Sequence, residues 1–329
     1  MKQEMEALVS EIEGCRILVA GDAVADIYLM GRISRISREA PVLVLEQAEK
    51  RIVAGGAANV VNNIATLGGT PFALGLLGLD ANGRGLKEVL EGNGAVTEGL
   101  LCDSGRPTIS KTRIIAGGRA TVSQQIVRVD NESKEPLSPA HERELLGYVR
   151  EVLPRMQGIV ISDYGSGTVT PRLRSLLLDY AREHDIPSMV DSRYDVRSFK
   201  GVGYVKQNDA ELAAALGRSF ESEEELIEGG QELLQELEAE GVLVTRGEQG
   251  MVLLEKDGSV HVIPVSDKSE VYDVSGAGDT CVATFILALA AGAEPAQAAE
   301  LSNIASGIAV RKLGTATVSN KELGKAVLR

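Results

Sequence analysis

Glu270-Val-Tyr-Asp-Val-Ser-Gly-Ala-Gly-Asp-Thr280 is the stretch on which this chain turns, because Gly276, Ala277 and Gly278 present nearly bare backbone directly before a carboxylate, Asp279. Val271 and Val274 predict a strand end before the glycines, and the apolar run from Thr280 to Ala291 predicts a helix after them. A glycine turn that opens a helix leaves successive amides unpaired. Their partial positive charge suits a phosphoryl group in transfer. Asp279 would then stand where a substrate hydroxyl meets that phosphate. The same residues also suit an ordinary N-cap after a tight turn, so residue chemistry alone leaves both readings open.

Outside this stretch the composition is that of a chain with a sizeable core. Of 329 residues 44% are hydrophobic, but only 3% are aromatic and none is Trp, so packing must come from Val, Leu, Ile and Ala. A net charge of −13 argues against nucleic-acid and anionic-membrane partners, which need clustered Lys and Arg. Cys15, Cys102 and Cys281 are far apart and odd in number, which predicts neither a disulfide framework nor a zinc site and suits a reducing cytoplasm. Met1 to Gly14 lacks the basic start and apolar centre of a secretory signal. The apolar run from Cys281 to Ala293 falls short of the roughly 20 residues of a membrane helix. His141, His184 and His261 are scattered, against a histidine triad.

Short β-branched runs at Arg16–Ala20, Gly158–Ser162, Ser188–Asp191 and Gly241–Thr245 are separated by helical periodicity over Leu137–Arg155, Pro171–His184, Asp209–Leu216 and Ser222–Glu240. This alternation predicts an α/β fold, with a mostly parallel sheet covered by helices on both faces. Ligands in such sheets gather at the carboxyl ends of strands, where Asp22, Asp163, Asp191 and Thr245 fall. Two intervals, 31–53 and 107–130, are strand-like without helices and predict a separate small sheet, with Gly117-Gly118 as a hairpin turn. No linker divides the chain, so one domain over 1–329 is expected.

Several further motifs carry chemistry. In Ala54-Gly-Gly-Ala-Ala-Asn-Val60, Gly55 and Gly56 would let a ligand approach the backbone and Asn59 offers a donor and an acceptor to sugar hydroxyls; a plain loop-to-helix entry is the alternative. Asn208-Asp-Ala-Glu211 follows the strand-like Tyr204-Val-Lys-Gln and reads at least as a helix cap. Thr245-Arg-Gly-Glu-Gln-Gly250 places Gly247 and Gly250 in a turn after a buried strand. Asp22 and Asp26 would accept hydrogen bonds from a polyol or simply be solvated. Lys111, Arg113 and Arg128 are a local basic cluster in an acidic chain, and alternation puts Lys111 and Arg113 on one strand face, where they would hold a phosphate or face solvent.

Asp273-Val-Ser-Gly-Ala-Gly-Asp279 resembles the C-terminal signature Asp-Thr-x-Gly-Ala-Gly-Asp of the PfkB-type, ribokinase-like carbohydrate kinases, with Val274 in place of the common Thr. The Gly55-Gly56…Asn59 stretch is similar to the family's N-terminal signature. The resemblance implies a ribokinase-like fold with a small β-sheet lid that pairs two subunits into a homodimer. It implies ATP and Mg²⁺, and leaves a monovalent cation open. Asp279 becomes the catalytic base and Gly276, Ala277 and Gly278 the anion hole. Asn208 and Glu211 match the family's Asn-x-x-Glu motif, which places Mg²⁺ through water. Thr245, Gly247 and Gly250 fall on its nucleotide-phosphate turn, and Asn303, Ala305 and Ser306 on its adenine wall.

Within that family, Ser34-Arg-Ile-Ser-Arg-Glu-Ala-Pro-Val42, Ser162-Asp-Tyr-Gly165 and Lys312-Leu-Gly-Thr-Ala-Thr-Val-Ser319 resemble the D-glycero-D-manno-heptose 7-phosphate kinases of ADP-heptose and lipopolysaccharide synthesis. The implied reaction is phosphorylation at the 1-position to heptose 1,7-bisphosphate. Some such proteins carry a C-terminal nucleotidyltransferase, which is not expected here. The group commonly shows Ser-Asp-Tyr-x-Lys-Gly and Asp-Pro-Lys, where this chain has Ser166 and Arg193. The first change removes a cation; Arg193 supplies one. Another sugar or sugar phosphate is the alternative acceptor. In a different class stand a nicotinamide-dependent oxidoreductase, opposed by the glycine-poor turn after Arg16–Gly21, and a non-catalytic sugar-binding relative.

Overall fold

The structure is a computed structural model that describes residues 2–117, 123–265 and 271–328. In chain order the helices are α1 (Lys2–Glu11), α2 (Ala57–Thr66), α3 (Ala81–Gly92), α4 (Pro139–Val152), α5 (Pro171–Glu183), α6 (Asp209–Leu216), α7 (Glu223–Leu237), α8 (Ala277–Ala290), α9 (Pro295–Ala309) and α10 (Asn320–Val327). The strands are β1 (Arg16–Gly21), β2 (Ala23–Ile36), β3 (Leu43–Gly56), β4 (Thr70–Gly78), β5 (Val96–Asp103), β6 (Ser110–Gly117), β7 (Gln124–Asn131), β8 (Gly158–Asp163), β9 (Ser188–Ser192), β10 (Tyr204–Asn208), β11 (Gly241–Thr245), β12 (Met251–Glu255) and β13 (Val260–Ile263).

The predicted α/β architecture is present. A nine-stranded sheet runs β13-β12-β11-β10-β9-β8-β1-β4-β5; β11 through β5 pair in parallel, while β12 and β13 add antiparallel at one edge. Side chains alternate across it. Ile17 and Val19 enter a core closed by residues of α1, α2, α8, α9 and α10, while Leu18 and Ala20 enter a second core under α4, α5, α6 and α7. Both faces are therefore dry, which is why the strands read as continuous apolar runs rather than alternating ones. Among the described residues, no helix is long and apolar enough to cross a membrane.

One local expectation meets a different backbone. Val271 and Val274 are not in a strand: the amides of Tyr272 and Asp273 both donate to the Val310 carbonyl, and Val271 and Val274 are exposed. The Gly117-Gly118 turn lies partly outside the described residues.

The separate small sheet has the order β3-β2-β6-β7. It grows from the carboxyl end of the large one. β1 ends at Gly21, β2 begins at Ala23, and the antiparallel return β3 ends at Gly56, which caps α2. Asp22 is thus the corner between the sheets. Gly56 has φ of +56°, and a Cβ there would stand 2.6 Å from the Asp22 carbonyl oxygen, so the corner closes only around glycine.

Candidate active site

α8 begins where its sequence permits a left-handed entry. Gly276 is its N-cap at φ of +82°, and a Cβ on it would come within 2.7 Å of Asn59 Nδ2. The Ala277 amide is used within the turn, donating to the Val274 carbonyl at 3.3 Å. Gly278 and Asp279 follow in the first helical turn, whose amides lack preceding carbonyls to bond.

Asp279 is 7% exposed. Its Oδ2 accepts from Asn59 Nδ2 at 2.7 Å, and its Oδ1 from the Tyr164 hydroxyl at 3.4 Å. Burial pushes the carboxyl up to about 7; the Asn59 hydrogen bond opposes the shift and the Asp191 charge adds to it. Asn59 is itself held, since Asn63 Nδ2 donates to its carbonyl at 2.9 Å and Thr280 donates to Asn63 Oδ1 at 3.0 Å. Its side-chain donor serves the carboxylate.

Beside this carboxylate stands a residue whose role the sequence did not announce. Lys206, in β10, is 5% exposed, with Nζ 3.3 Å from Asp191 Oδ2 and 3.7 Å from Glu211 Oε2. Burial opposes its charge, but Asp191 and Glu211 outweigh that and hold the ammonium above its ordinary value. A Cβ on Gly278 would lie 3.1 Å from this Nζ, so a fixed cation abuts the glycine turn. The one sequence signal was a lysine inside a buried strand; its carboxylate partners belong to other elements.

Two cavities meet at this turn. The smaller, about 120 Å³, is lined by Asp163, Tyr164, Asp191, Arg193, Lys206, Glu211, Gly276, Gly278 and Asp279. The larger, about 550 Å³, brings together Thr245, Gly247, Gly250, Asn303 and Ser306 with Val271, Val274, Ala277, Gly278 and Val310. Gly278 lines both. Ala305, by contrast, lies in the hydrophobic core. Asn303 Nδ2 donates to the Pro264 carbonyl at 2.7 Å and Ser306 to the Ala277 carbonyl at 3.3 Å, which ties α9 to the turn.

The other candidates divide. Asn208 and Glu211 form a reciprocal capping box on α6: Asn208 Oδ1 accepts from the Glu211 amide at 2.7 Å and Glu211 Oε2 from the Asn208 amide at 2.9 Å. Asp22, expected to face hydroxyls, is wholly buried, and its carboxylate accepts from the amides of Tyr164, Ser166 and Thr168 at 2.9, 3.0 and 3.3 Å. It shapes the 164–168 turn. Asp26 pairs with Arg113 at 2.7 Å, close to Gly55, on which a Cβ would fall 2.6 Å from Asp26 Oδ2. Lys111 Nζ lies 5.6 Å from the Tyr164 ring centroid. Arg128 stands opposite Arg113 across the ladder and pairs with Asp130 at 2.9 Å on a more exposed part of the small sheet.

The chain is similar to known proteins along nearly its whole length. The model of the pfkB family of carbohydrate kinases matches residues 16–322. "Bifunctional protein HldE" of Geobacter metallireducens is 40% identical over 323 residues, 98% of this chain and 65% of the relative. The protein of that name from Hyphomonas neptunium is 38% identical, over 99% of this chain and 66% of the relative. The chain thus spans just under two thirds of these curated relatives. Among solved structures, Arabidopsis thaliana ribokinase complexed with ribose and ATP has a TM-score of 0.74 at 18% identity, covering 96% of this chain and 99% of that one. Escherichia coli phosphofructokinase-2 with fructose-6-phosphate also reaches 0.74, at 20% identity over 96% and 98%; both share the fold. The chain therefore belongs to the pfkB family of carbohydrate kinases, phosphotransferases that move a phosphoryl group from ATP to a sugar hydroxyl.

Proposed function

We propose that this kinase phosphorylates D-glycero-D-manno-heptose 7-phosphate at the 1-position, with Asp279 as the general base. The observation that carries the base assignment is a buried carboxyl near pKa 7 at the junction of two cavities, beside a helix N-terminus and the Lys206 ammonium. A base of that pKa takes a proton near neutral pH without being permanently protonated. Asn59 engages Oδ2 at 2.7 Å, and Oδ1, whose contact with the Tyr164 hydroxyl is the longer one at 3.4 Å, would receive the sugar proton. The amides of Gly278 and Asp279, with Lys206, meet the charge on the transferring phosphoryl group.

In this reading ATP occupies the larger cavity, with its phosphates toward Gly278, which lines both cavities. Among the described residues no three His, Cys, Asp or Glu side chains converge to cage a metal. Mg²⁺ fits nonetheless, because it commonly keeps waters and phosphate oxygens as ligands. Glu211, on the cavity wall, would hold it through water, and the ion would neutralise phosphate charge.

The heptose assignment rests on the similarity to HldE proteins and on three cations: Arg193, which lines the smaller cavity, Lys111, which stands over Tyr164 of its wall, and Arg113, which is paired with Asp26. Another sugar phosphate is the second reading, favoured by Ser166 and Arg193, where heptose kinases commonly carry lysine. The test compares wild type, Lys111→Ala and Arg193→Ala on heptose 7-phosphate, free heptose, fructose and ribose. Loss of a charged hydrogen bond of about 1.5 kcal/mol should raise KM for the phosphosugar by about tenfold, with KM for ATP nearly unchanged. Efficient wild-type turnover of a free sugar with heptose 7-phosphate inert would end the heptose assignment.

A further inference from the structure

We infer that Tyr164 is a positioning residue that acts through Asp279, orienting the base and linking it to the small sheet. The inference rests on Asp279 being the base. Tyr164 directly follows β8, and its place is set from three sides. Its amide, with those of Ser166 and Thr168, donates to the buried Asp22 carboxylate, which fixes the backbone of the turn. One ring edge packs on the glycine corner: a Cβ on Gly56 would lie 3.5 Å from Tyr164 Cε2. Above the ring stands Lys111 of β6, at 5.6 Å from the centroid. A ring so confined has little rotational freedom left, and its hydroxyl ends 3.4 Å from Asp279 Oδ1.

Asp279 is therefore approached at both oxygens from different elements, Oδ2 by Asn59 of α2 and Oδ1 by Tyr164. The charge of Asp279 and burial hold the phenol well above its ordinary pKa, so the hydroxyl stays protonated and donates. The short Asn59 contact restrains the carboxylate. The longer Tyr164 contact aims the oxygen that takes the sugar proton and yields as that proton arrives. The other charged groups bearing on Asp279 are Lys206 of β10, Asp191 of β9 and Asp26 of β2. None of them is bonded to Oδ1, so removing the Tyr164 hydroxyl changes that oxygen's hydrogen bonding while leaving the ring and its packing in place.

The experiment is an aspartate ¹³Cγ NMR titration of wild type and Tyr164→Phe, with Asp279→Asn assigning the resonance, alongside pH profiles of kcat. A donor to the charged form favours it, so its loss should raise the Asp279 midpoint by about half a pH unit. The acid limb of kcat should move by the same amount, about a threefold loss of rate on that limb, while KM for ATP holds. An unmoved midpoint overturns the inference. So does a raised KM for the sugar with kcat and its pH profile unchanged, which would make Tyr164 a sugar contact. The titration reads the contact without turnover: absence of any sugar-kinase activity would sink the functional reading separately, whatever the midpoint does.

Discussion

Asp279 performs its proposed work at a thermodynamic disadvantage. Its carboxyl is raised to about 7 in the fold, chiefly by burial, against about 3.9 for a free aspartate. The folded chain thus binds more protons than the unfolded one between these values, and this group's contribution to stability is lost as pH rises through about 7. Asp279→Asn should leave the fold intact, and its melting temperature relative to wild type should climb between pH 5 and pH 8. Calorimetry at the two pH values checks the sign. The same substitution should lower kcat by roughly 10² to 10⁴, since an amide cannot take the proton. Wild-type kcat should fall toward acid pH with a midpoint near 7, because only the ionised carboxyl is a base. A variant retaining more than about a third of wild-type kcat, with chemistry rate-limiting, would return Asp279 to the role of an N-terminal helix residue.

At the scale of elements, the first turn of α8 concentrates the chemistry. Gly276→Ala should strain a left-handed backbone by about 1–2 kcal/mol. It also drives a methyl group to 2.7 Å from Asn59 Nδ2, the donor that holds Asp279. Relieving that contact by moving Asn59, and with it Asp279, by about 1 Å should cost about 10²-fold in kcat. Unchanged kcat with lowered stability would confine the glycine to a structural role. This turn was legible because a backbone conformation open mainly to glycine leaves its mark in the residue type. The strands and helices from β8 to β11 were legible for a similar reason, since their periodicity is local. The antiparallel β12 and β13 were not assigned: an apolar run such as Met251–Glu255 is the same whichever way its strand points.

For the whole molecule, the small sheet carries a prediction about assembly. Lys111, Arg113 and Arg128 lie on its cleft face, and the ladder partners Thr112 with Val129 and Ile114 with Val127 on the other. Val127 and Val129 are 45% and 53% exposed, and Ile36 and Val42 are exposed with them. Val44 and Ile126, apolar residues of the two strand-like intervals 31–53 and 107–130, are partly covered. We expect the outer face to pair with a second copy, giving a particle of twice the 34.8 kDa chain mass in light scattering at micromolar concentration. A monomer with β2, β3, β6 and β7 ordered would remove the argument. The sequence by itself determined the α/β order and the glycine entry to α8, because periodicity and backbone permissiveness act over a few neighbours. Only the tertiary structure decided what the polar residues do. Asn59 meets Asp279 across 220 positions, Asp22 is committed to three amides, and Lys206 finds Asp191 and Glu211. A side chain's charge state and hydrogen-bond partner depend on burial and on groups brought near by other elements, and neither is written in its own stretch of chain.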